Sequence, residues 1–448
     1  MLAAALLAMG LGAALHVRAN APLGGDGSEE RPFAKISEAL AHAPHGGTVS
    51  LAPGLYEEAL VLDRPVTLTG SSAKTVIAAP PGSAVSVDVR APAHLLDLDV
   101  QGGRVGVHAT AAVQLRDVRL RGQPDAAVDC EAGARCELSQ VRIESSFAQA
   151  SGVRGGGEVL IDGVEISGPF RRALDVSGSL TGRELFVHGA VTGLQAAGAK
   201  VTLRAARFED LRGTCIFGAR GTLALTGLEV SGCEAGIEVR EGEQVELRDA
   251  EIARCIRVAI SSTEAKIVGR DLLVQGPSRD GAVMISGGSL SLVDTRFHNP
   301  GPTGIAARLA KVHLQGLTVE GARMDRDGDF GDGLFLYDSE LSGQGLLARS
   351  CEGAAIEAQL GKGRIAELEV ERAGQAALVL EHGATLDVDG LLATGGQGAG
   401  LACIEHSSAH LRASSLRGLA GGSYLVDCSC KVSVQPTDPA LGACGQPP

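Results

Sequence analysis

The chain lacks tryptophan and is poor in aromatic residues. Only nine Phe and three Tyr occur among 448 residues, although hydrophobic residues make up 44% of the sequence. Large globular cores use aromatic side chains heavily, so the apolar content here must come mainly from small aliphatic residues. This composition indicates many thin, similar layers rather than a few bulky cores.

Basic residues are outnumbered by acidic ones. There are 40 Lys and Arg against 53 Asp and Glu, which gives a formal net charge of −13. Nucleic-acid binding requires a basic surface that neutralises phosphates. The charge balance therefore predicts a protein with no nucleic-acid partner.

The N-terminal segment, at positions 1–21, has the pattern of a signal peptide. The uncharged apolar run from Leu2 to Leu15 is too short for a membrane span, which needs roughly 20 residues, and suits the core of a leader. Small residues allow cleavage after Ala19 or after Ala21. No later segment is apolar enough to span a bilayer. We therefore expect export to the periplasm, the cell surface or the extracellular space.

The rest of the chain is a repeat. An apolar residue recurs sixteen times, about every 23 residues and nearly always directly after a small one, and we call these residues the coil markers. Fourteen of the fifteen gaps are of similar length, and the gap between Ile305 and Leu334 is distinctly longer. The predicted coil markers are Val85, Val107, Val128, Val153, Leu174, Leu194, Ile216, Ile237, Ile260, Val283, Ile305, Leu334, Ile356, Leu378, Leu401 and Leu425.

This repeat predicts the fold. Each unit contains short alternating strands separated by turns, and such a unit buries its inner face only by stacking on its neighbours. Leucine-rich repeats need a recurrent Asn or Cys, which two Asn in the whole chain exclude. A left-handed β-helix would need a hexapeptide rhythm, which is absent. Because parallel crossovers are right-handed, the sequence predicts an all-β, single-stranded, right-handed parallel β-helix of about sixteen coils.

The two ends of such a stack need covers, because each exposes unpaired backbone. Apolar residues at helical spacing predict a capping helix over 33–43, within an N-terminal cap at 22–47. The β-helix then spans 48–427. Residues 428–448 form a Cys-containing tail, which a disulfide between Cys430 and Cys444 would hold over the last coil.

The opening of the repeat region resembles a known family. Asp26-Gly-Ser, Pro32-Phe-Ala-Lys-Ile-Ser-Glu-Ala-Leu, Gly46-Gly-Thr-Val-Ser-Leu-Ala-Pro-Gly-Leu-Tyr-Glu-Glu and Val66-Thr-Leu-Thr-Gly follow one another in order. This series resembles the opening of bacterial proteins in the pectin lyase-like superfamily. The resemblance implies the β-helix fold. It implies no single activity, because the superfamily includes lyases, hydrolases, esterases, epimerases, tailspikes and adhesins.

The catalytic motifs of several enzymes in that superfamily are missing. Pectin methylesterases have an active site after a Gln-Ala-Val-Ala-Leu strand, and the nearest stretch here is Asp125-Ala-Ala-Val-Asp. Polygalacturonases need Asn-Thr-Asp, Asp-Asp and Gly-His-Gly on successive coils. Of these, only Val187-His-Gly is similar. The Asp-Pro-His signature of alginate epimerases is also absent.

The long gap between coil markers contains an acidic segment. Asp325, Asp327, Asp329 and Asp332 lie close together in a stretch that also contains glycines, and carboxylate oxygens are the ligands that Ca²⁺ prefers. The segment matches the first five positions of a calcium loop but has Phe330 and Leu336 where the loop needs Gly and Glu. The alternatives are a solvated acidic turn, or a catalytic loop assisted by Asp338 and Glu340.

A second candidate site follows from the repeat spacing. Glu381-His382 and Glu405-His406 are separated by one repeat length and should lie on neighbouring coils. Two His and two Glu at that spacing suit Zn²⁺ or acid–base chemistry. A duplicated repeat also produces identical stacked turns without any site. The same spacing predicts that Arg308 and Tyr337 stack on adjacent coils.

The ten cysteines suit disulfides in an exported chain. The distance between neighbouring coils lies within the range of Cα–Cα distances that a disulfide spans, so Cys233 and Cys255 can pair across coils. Cys130 and Cys136 can close a turn, and Cys403 can reach Cys428. Cys215 and Cys351 have no evident partner.

Two functions remain open. Regular coils without catalytic motifs favour an exported, non-catalytic β-helix scaffold or surface protein that binds a polysaccharide or another cell-surface component. The alternative is a polysaccharide lyase, hydrolase or epimerase that acts on an acidic polymer through residues 325–332, with Ca²⁺ as its cofactor. The few aromatic residues argue against a long stacking cleft, whereas the many Arg residues suit uronates.

Overall fold

The computed structural model describes residues 14–71, 74–276 and 278–436. The chain divides into two compact units, Met1–Arg212 and Gly213–Pro448. Strands make up almost all of the regular structure, and their pairings are parallel. The prediction of an all-β parallel β-helix is confirmed.

The first unit contains, among its described residues, one helix, α1 (Ile36–His42), and nineteen strands. In chain order the strands are β1 (Leu15–Val17), β2 (Gly47–Leu51), β3 (Gly54–Tyr56), β4 (Leu60–Leu62), β5 (Val66–Thr69), β6 (Thr75–Ala78), β7 (Val85–Val89), β8 (Ala93–Gln101), β9 (Val105–Ala109), β10 (Val113–Arg121), β11 (Ala126–Cys130), β12 (Arg135–Ser139), β13 (Arg142–Glu144), β14 (Ser151–Gly155), β15 (Glu158–Ser167), β16 (Arg172–Val176), β17 (Ser179–His188), β18 (Thr192–Ala197) and β19 (Lys200–Glu209).

The second unit contains twenty strands in the part that the structure describes. They are β20 (Thr214–Ala219), β21 (Thr222–Thr226), β22 (Glu229–Arg240), β23 (Gln244–Thr263), β24 (Lys266–Gln275), β25 (Gly281–Ser286), β26 (Ser289–His298), β27 (Thr303–Arg308), β28 (Lys311–Glu320), β29 (Asp332–Tyr337), β30 (Glu340–Arg349), β31 (Ala354–Gln359), β32 (Lys362–Ala373), β33 (Ala376–Glu381), β34 (Thr385–Gly396), β35 (Ala399–Cys403), β36 (Ser408–Arg412), β37 (Ser415–Leu419), β38 (Tyr424–Val426) and β39 (Lys431–Gln435).

Each coil has three sides, as β11, β12 and β13 illustrate. β11 pairs with β9 and β14, whereas β12 and β13 both pair with β10 and β15. The sharp corner between β12 and β13 is formed by Gln140, whose φ is 54°. Asp117 and Glu184 have the same left-handed conformation at other corners. Short polar turns therefore bend the chain while the strands stay in register.

The coil markers lie inside the coil on its first side. Val107 pairs with Val128, and Ile237 pairs with Ile260. The residue before each marker must be small, because a Cβ on Gly152 would lie 2.5 Å from the carbonyl oxygen of Ala173. This close approach explains why an apolar residue follows a small one throughout the repeat.

The structure has about 18 turns, so the predicted count of sixteen was slightly low. Near the N-terminus, β2 pairs with β5 and β5 with β8. Leu60, which follows Ala59, pairs with Val87 on a turn before the first predicted marker. Two predicted markers are also out of register. Val87 rather than Val85 pairs with Val107, and Tyr424 rather than Leu425 pairs with Leu401.

Helix α1 is shorter than the predicted span of 33–43. Its first turn is held by Glu58, whose carboxylate accepts hydrogen bonds from the backbone N–H groups of Ile36 (2.7 Å) and Ser37 (3.0 Å). Ile36 and Ala39 are buried. The helix packs against β1, β2 and β4.

The predicted leader and tail overlap strands of the fold. Leu15–Val17 pairs with β2, so cleavage after Ala19 or Ala21 would remove β1. Within the predicted tail, Lys431–Gln435 pairs with β36. Residues 1–13 and 437–448, including Cys444, lie outside the described residues. No described helix is long and apolar enough to cross a membrane.

Candidate functional site

Two columns of outward-facing residues run along the first side of the second unit. Ser261, Met284, Ala306 and Phe335 are register partners on β23, β25, β27 and β29. Two residues further along the same strands, a second column contains Thr263, Ser286, Arg308 and Tyr337. The side chains of a strand alternate between its two faces, so both columns face away from the apolar core.

The insertion at residues 321–331 lies beside these columns. It connects β28 to β29 and accounts for the long gap between coil markers. Asp325 fixes its conformation, because Oδ1 of Asp325 accepts hydrogen bonds from the backbone N–H groups of Asp327 and Asp329, both at 3.0 Å. The backbone N–H of Gly331 also donates to the carbonyl of Pro302 at 2.8 Å.

The insertion and the two columns enclose a cavity of about 830 Å³. We call this cavity the aromatic groove. The residues that give it its chemistry are Arg279, Arg308, Asp325, Phe330, Phe335 and Tyr337. Its size lies within the range of about 300–1,000 Å³ that is typical of ligand sites.

Three of the twelve aromatic residues of the chain line the aromatic groove. Phe330 packs edge-on against Phe335, with ring centroids 5.6 Å apart and planes at 88°. Phe330 is 44% exposed, and its φ of 64° is a left-handed conformation that bulky residues rarely adopt. The insertion therefore holds an apolar ring at the groove, at a cost in backbone strain.

Arg308 supplies positive charge to the aromatic groove. Its guanidinium carbon lies 5.4 Å from the centroid of the Tyr337 ring, which confirms the predicted stack. Among the described residues Arg308 makes no ion pair with a carboxylate. By contrast, Arg279 is paired with Asp280 at 3.2 Å. The guanidinium of Arg308 is thus held in place by an aromatic ring while its N–H donors stay available.

The four carboxylates of the predicted calcium site are not brought together. Asp325 lines the aromatic groove, Asp327 and Asp329 are exposed, and Asp332 is buried at the start of β29. Within the described part of the chain, the one group of metal-ligating side chains whose atoms converge within 4.8 Å lies elsewhere. Calcium binding at residues 325–332 stays a prediction.

Asp332 is a buried acid beneath the insertion. Its side-chain Oδ1 accepts a hydrogen bond from the backbone N–H of Ala354 at 2.7 Å, and Oδ2 meets no donor among the described residues. Loss of hydration raises the pKa of Asp332 to about 7, and the nearby Glu357 adds to the shift. At acidic pH, a neutral carboxyl group therefore lies beneath the insertion.

The second predicted site is brought together only in part. Nε2 of His382 lies 3.0 Å from Oε2 of Glu405, and Nδ1 lies 3.8 Å from Oε2 of Glu381. The backbone N–H of His406 donates to Ser429 Oγ. His382 and Glu405 are both about half exposed. These contacts join the two side chains at the surface between adjacent turns, and a zinc or acid–base role stays a prediction.

The cysteines lie close together in three places. Cys130 and Cys136 are joined by a disulfide, with Cα atoms 6.2 Å apart. The Sγ atoms of Cys233 and Cys255 are 3.1 Å apart across neighbouring coils. The third place lies at the C-terminal end of the described chain.

Cys403 interacts with Cys430. The predicted pairing of Cys403 with Cys428 stays a prediction. Cys215, which had no evident partner in the sequence, interacts with Cys233. Burial and the contact with Cys430 raise the pKa of Cys403.

Sequence reasoning also missed a cluster in the first unit. Asp88, His108 and Asp129 are register partners on β7, β9 and β11, and they face outward. Their spacing along the chain equals one coil. The repeat length could therefore have identified this cluster. It was missed because its residues lie neither in the long gap between coil markers nor in a repeated Glu-His pair.

Comparison with solved structures finds matches of low identity and low TM-score. The pectin methylesterase from Aspergillus niger has 17% identity and a TM-score of 0.34 over 53% of this chain and 84% of its own. Pectate lyase Pel9A has 8% identity and a TM-score of 0.32 over 62% and 75%. Tailspike protein 3 of bacteriophage CBA120 has 12% identity and a TM-score of 0.36 over 94% and 63%.

These matches carry no argument about this chain, whose own strand pairings show an all-β parallel β-helix. No protein-family model matches it, and no curated protein matches it. The function must therefore be argued from the side chains of this chain.

Proposed function

We propose that this protein is an exported, non-catalytic β-helix that binds an acidic polysaccharide in the aromatic groove. The observation that carries the proposal is the position of Arg308, which lies on the Tyr337 ring without a carboxylate partner among the described residues. Phe330 and Phe335 lie in the same groove. A cation next to apolar rings suits a sugar that carries a carboxylate.

The two kinds of side chain have separate tasks in this proposal. The rings of Phe330 and Tyr337 pack against the apolar face of a sugar ring. The guanidinium of Arg308 binds the uronate carboxylate through two parallel N–H···O bonds. The hydroxyl groups of Ser286 and Thr263 lie on the same side of the groove and can hydrogen-bond sugar hydroxyls.

The carboxylates of the groove support binding rather than cleavage. Asp280 is paired with Arg279 at 3.2 Å and with Arg257 at 3.8 Å. Asp325 Oδ1 is used by two backbone N–H groups. Glycoside hydrolysis needs one carboxyl group to protonate the leaving oxygen and another to assist attack. Asp332, whose pKa is raised by burial, does not line the groove.

The export part of the proposal depends on the apolar N-terminal run and on the disulfide between Cys130 and Cys136. Disulfides persist in oxidising compartments, and Cys130 is bonded to Cys136. An exported β-helix with a polysaccharide site would act at the cell surface, in the periplasm or outside the cell.

We expect Arg308→Ala to weaken binding of polygalacturonate or alginate by roughly 10- to 100-fold, because a hydrogen-bonded charge contributes about 1.5–3 kcal/mol. Tyr337→Ala should weaken binding about 10-fold. Both can be measured by titration calorimetry with purified protein. Raising the salt concentration should weaken wild-type binding more than Arg308→Ala binding.

The chain offers a matched control. Arg240 lies 5.8 Å from the centroid of Phe217 and forms the same type of stack outside the groove. We expect Arg240→Ala and Phe217→Ala to bind the polymers as the wild type does. Equal loss in these control variants, or no binding of any acidic polymer by the wild type, would refute the proposal.

A further inference from the structure

The outward-facing cluster of the first unit combines one histidine with three carboxylates from successive coils. Asp88 is on β7, His108 on β9 and Asp129 on β11, in register. Glu131 follows β11 directly, so it lies on the same side of the coil. Stacking of neighbouring strands at about 4.8 Å places these side chains within reach of one another.

The two ring nitrogens of His108 face different carboxylates. Nδ1 lies 3.1 Å from Oδ1 of Asp88, and Nε2 lies 3.4 Å from Oε1 of Glu131. One ligand atom from each of His108, Asp129 and Glu131 lies within 4.8 Å of the others. Asp88 can therefore accept a hydrogen bond from the Nδ1–H group, which leaves Nε2 facing Glu131.

We propose that His108, Asp129 and Glu131 bind a divalent transition-metal ion, represented by Zn²⁺, and that Asp88 orients the imidazole. Zinc binds imidazole nitrogen and carboxylate oxygen at about 2.0–2.2 Å. Neighbouring ligands of a tetrahedral ion with such bonds are roughly 3.3 Å apart, close to the 3.4 Å between His108 and Glu131. Metal-binding histidines commonly donate their other N–H to a carboxylate.

The donor set favours a transition metal over calcium. Ca²⁺ takes six to eight oxygen ligands, whereas this cluster offers one nitrogen and two carboxylates. Three protein ligands also leave a coordination position open on the outward face. Asp129 Oδ2 is paired with Arg154 at 3.0 Å, so Oδ1 of Asp129 is the oxygen left for the ion.

The two arginines beside the cluster do not neutralise it fully. Arg90 pairs with Asp88, at 2.6 Å, and Arg154 pairs with Asp129. Glu131 has no arginine partner among the described residues and contacts His108. With a neutral imidazole the cluster therefore keeps one net negative charge, which attracts a cation.

The test uses the full chain without a histidine tag, titrated separately with Zn²⁺, Co²⁺ and Ca²⁺. The Kd for Zn²⁺ is measured by calorimetry, and Co²⁺ is followed by its visible d–d absorption. His108→Ala should weaken Zn²⁺ binding at least 100-fold and abolish the absorption band. Asp88→Asn should weaken Zn²⁺ binding by roughly 10- to 100-fold.

His94 provides the matched control. It lies on β8, on another side of the coil, and its Nδ1 contacts Gln114 Oε1 at 2.7 Å rather than a carboxylate. We expect His94→Ala to bind Zn²⁺ as the wild type does. His108→Gln, which keeps a polar side chain of similar length, serves if His108→Ala does not fold.

The outcomes separate the proposal from its rivals. Zn²⁺ binding that depends on His108 but not on His94, with Ca²⁺ failing to compete, supports it. Zn²⁺ binding unaffected by either His108 variant would assign the ion to another group, such as the cysteines, and would overturn the proposal. Absence of wild-type Zn²⁺ and Co²⁺ binding would also overturn it.

Discussion

Asp332→Asn is expected to remove a large part of the pH dependence of stability. The pKa of Asp332 is raised from 3.8 to about 7 in the folded chain. The folded state therefore binds a proton more tightly than the unfolded state. The resulting stabilisation is fully present below about pH 4 and is lost as the pH rises from there through about 7. A pKa difference of this size corresponds to about 4 kcal/mol.

Urea unfolding between pH 4 and pH 8.5 measures this effect. The wild type should lose up to about 4 kcal/mol more than Asp332→Asn over that range. Asp329→Asn is the matched control, because this carboxylate is exposed in the insertion that precedes β29. It should follow the wild-type curve. Parallel curves for Asp332→Asn and the wild type would show that the buried acid does not contribute in this way.

Ile260→Ala is expected to destabilise the second unit by about 2–5 kcal/mol, the usual effect of truncating a buried Ile. Ile260 is 0% exposed and pairs with Ile237 on one coil and Val283 on the next. Truncation leaves a cavity that involves three coils at once. Ile260→Asp, which also buries a charge, should prevent this unit from folding.

The same strand contains the control for this experiment. Ile256 is also on β23 but is 70% exposed. Ile256→Ala should change the free energy of unfolding by no more than about 0.5 kcal/mol. Thermal or urea unfolding followed by circular dichroism distinguishes the two variants. Equal effects at both positions would contradict the assignment of the inner and outer faces.

Most of the fold could be predicted because the repeat is set by close packing. A small residue is required wherever a backbone carbonyl of the neighbouring coil lies close to the strand. A Cβ added at Gly236, for example, would lie 2.5 Å from the carbonyl oxygen of Ala259. Where apolar residues are consecutive or alternate, the pattern leaves the register open. Val85 and Val87 are both apolar at a spacing of two, and Tyr424 and Leu425 are adjacent, so both markers were misplaced there.

The candidate site was less predictable because it depends on side chains of an irregular segment. The long gap indicated where the insertion lies, and the Arg308–Tyr337 stack followed from coil spacing. The position of Phe330 depends on a left-handed backbone conformation that no repeat encodes. The separation of Asp332 from the other carboxylates depends on its hydrogen bond to Ala354.

The length of an acidic polysaccharide after incubation with the protein tests the central claim most directly. The polymer is mixed with wild type or Tyr337→Ala, its size is followed by gel filtration, and unsaturated products are followed by absorbance. We expect wild-type protein to co-elute with polymer of unchanged length, and a smaller fraction of Tyr337→Ala to do so because it binds about 10-fold more weakly. Shortened chains or unsaturated products that depend on Tyr337 would contradict a non-catalytic binding groove.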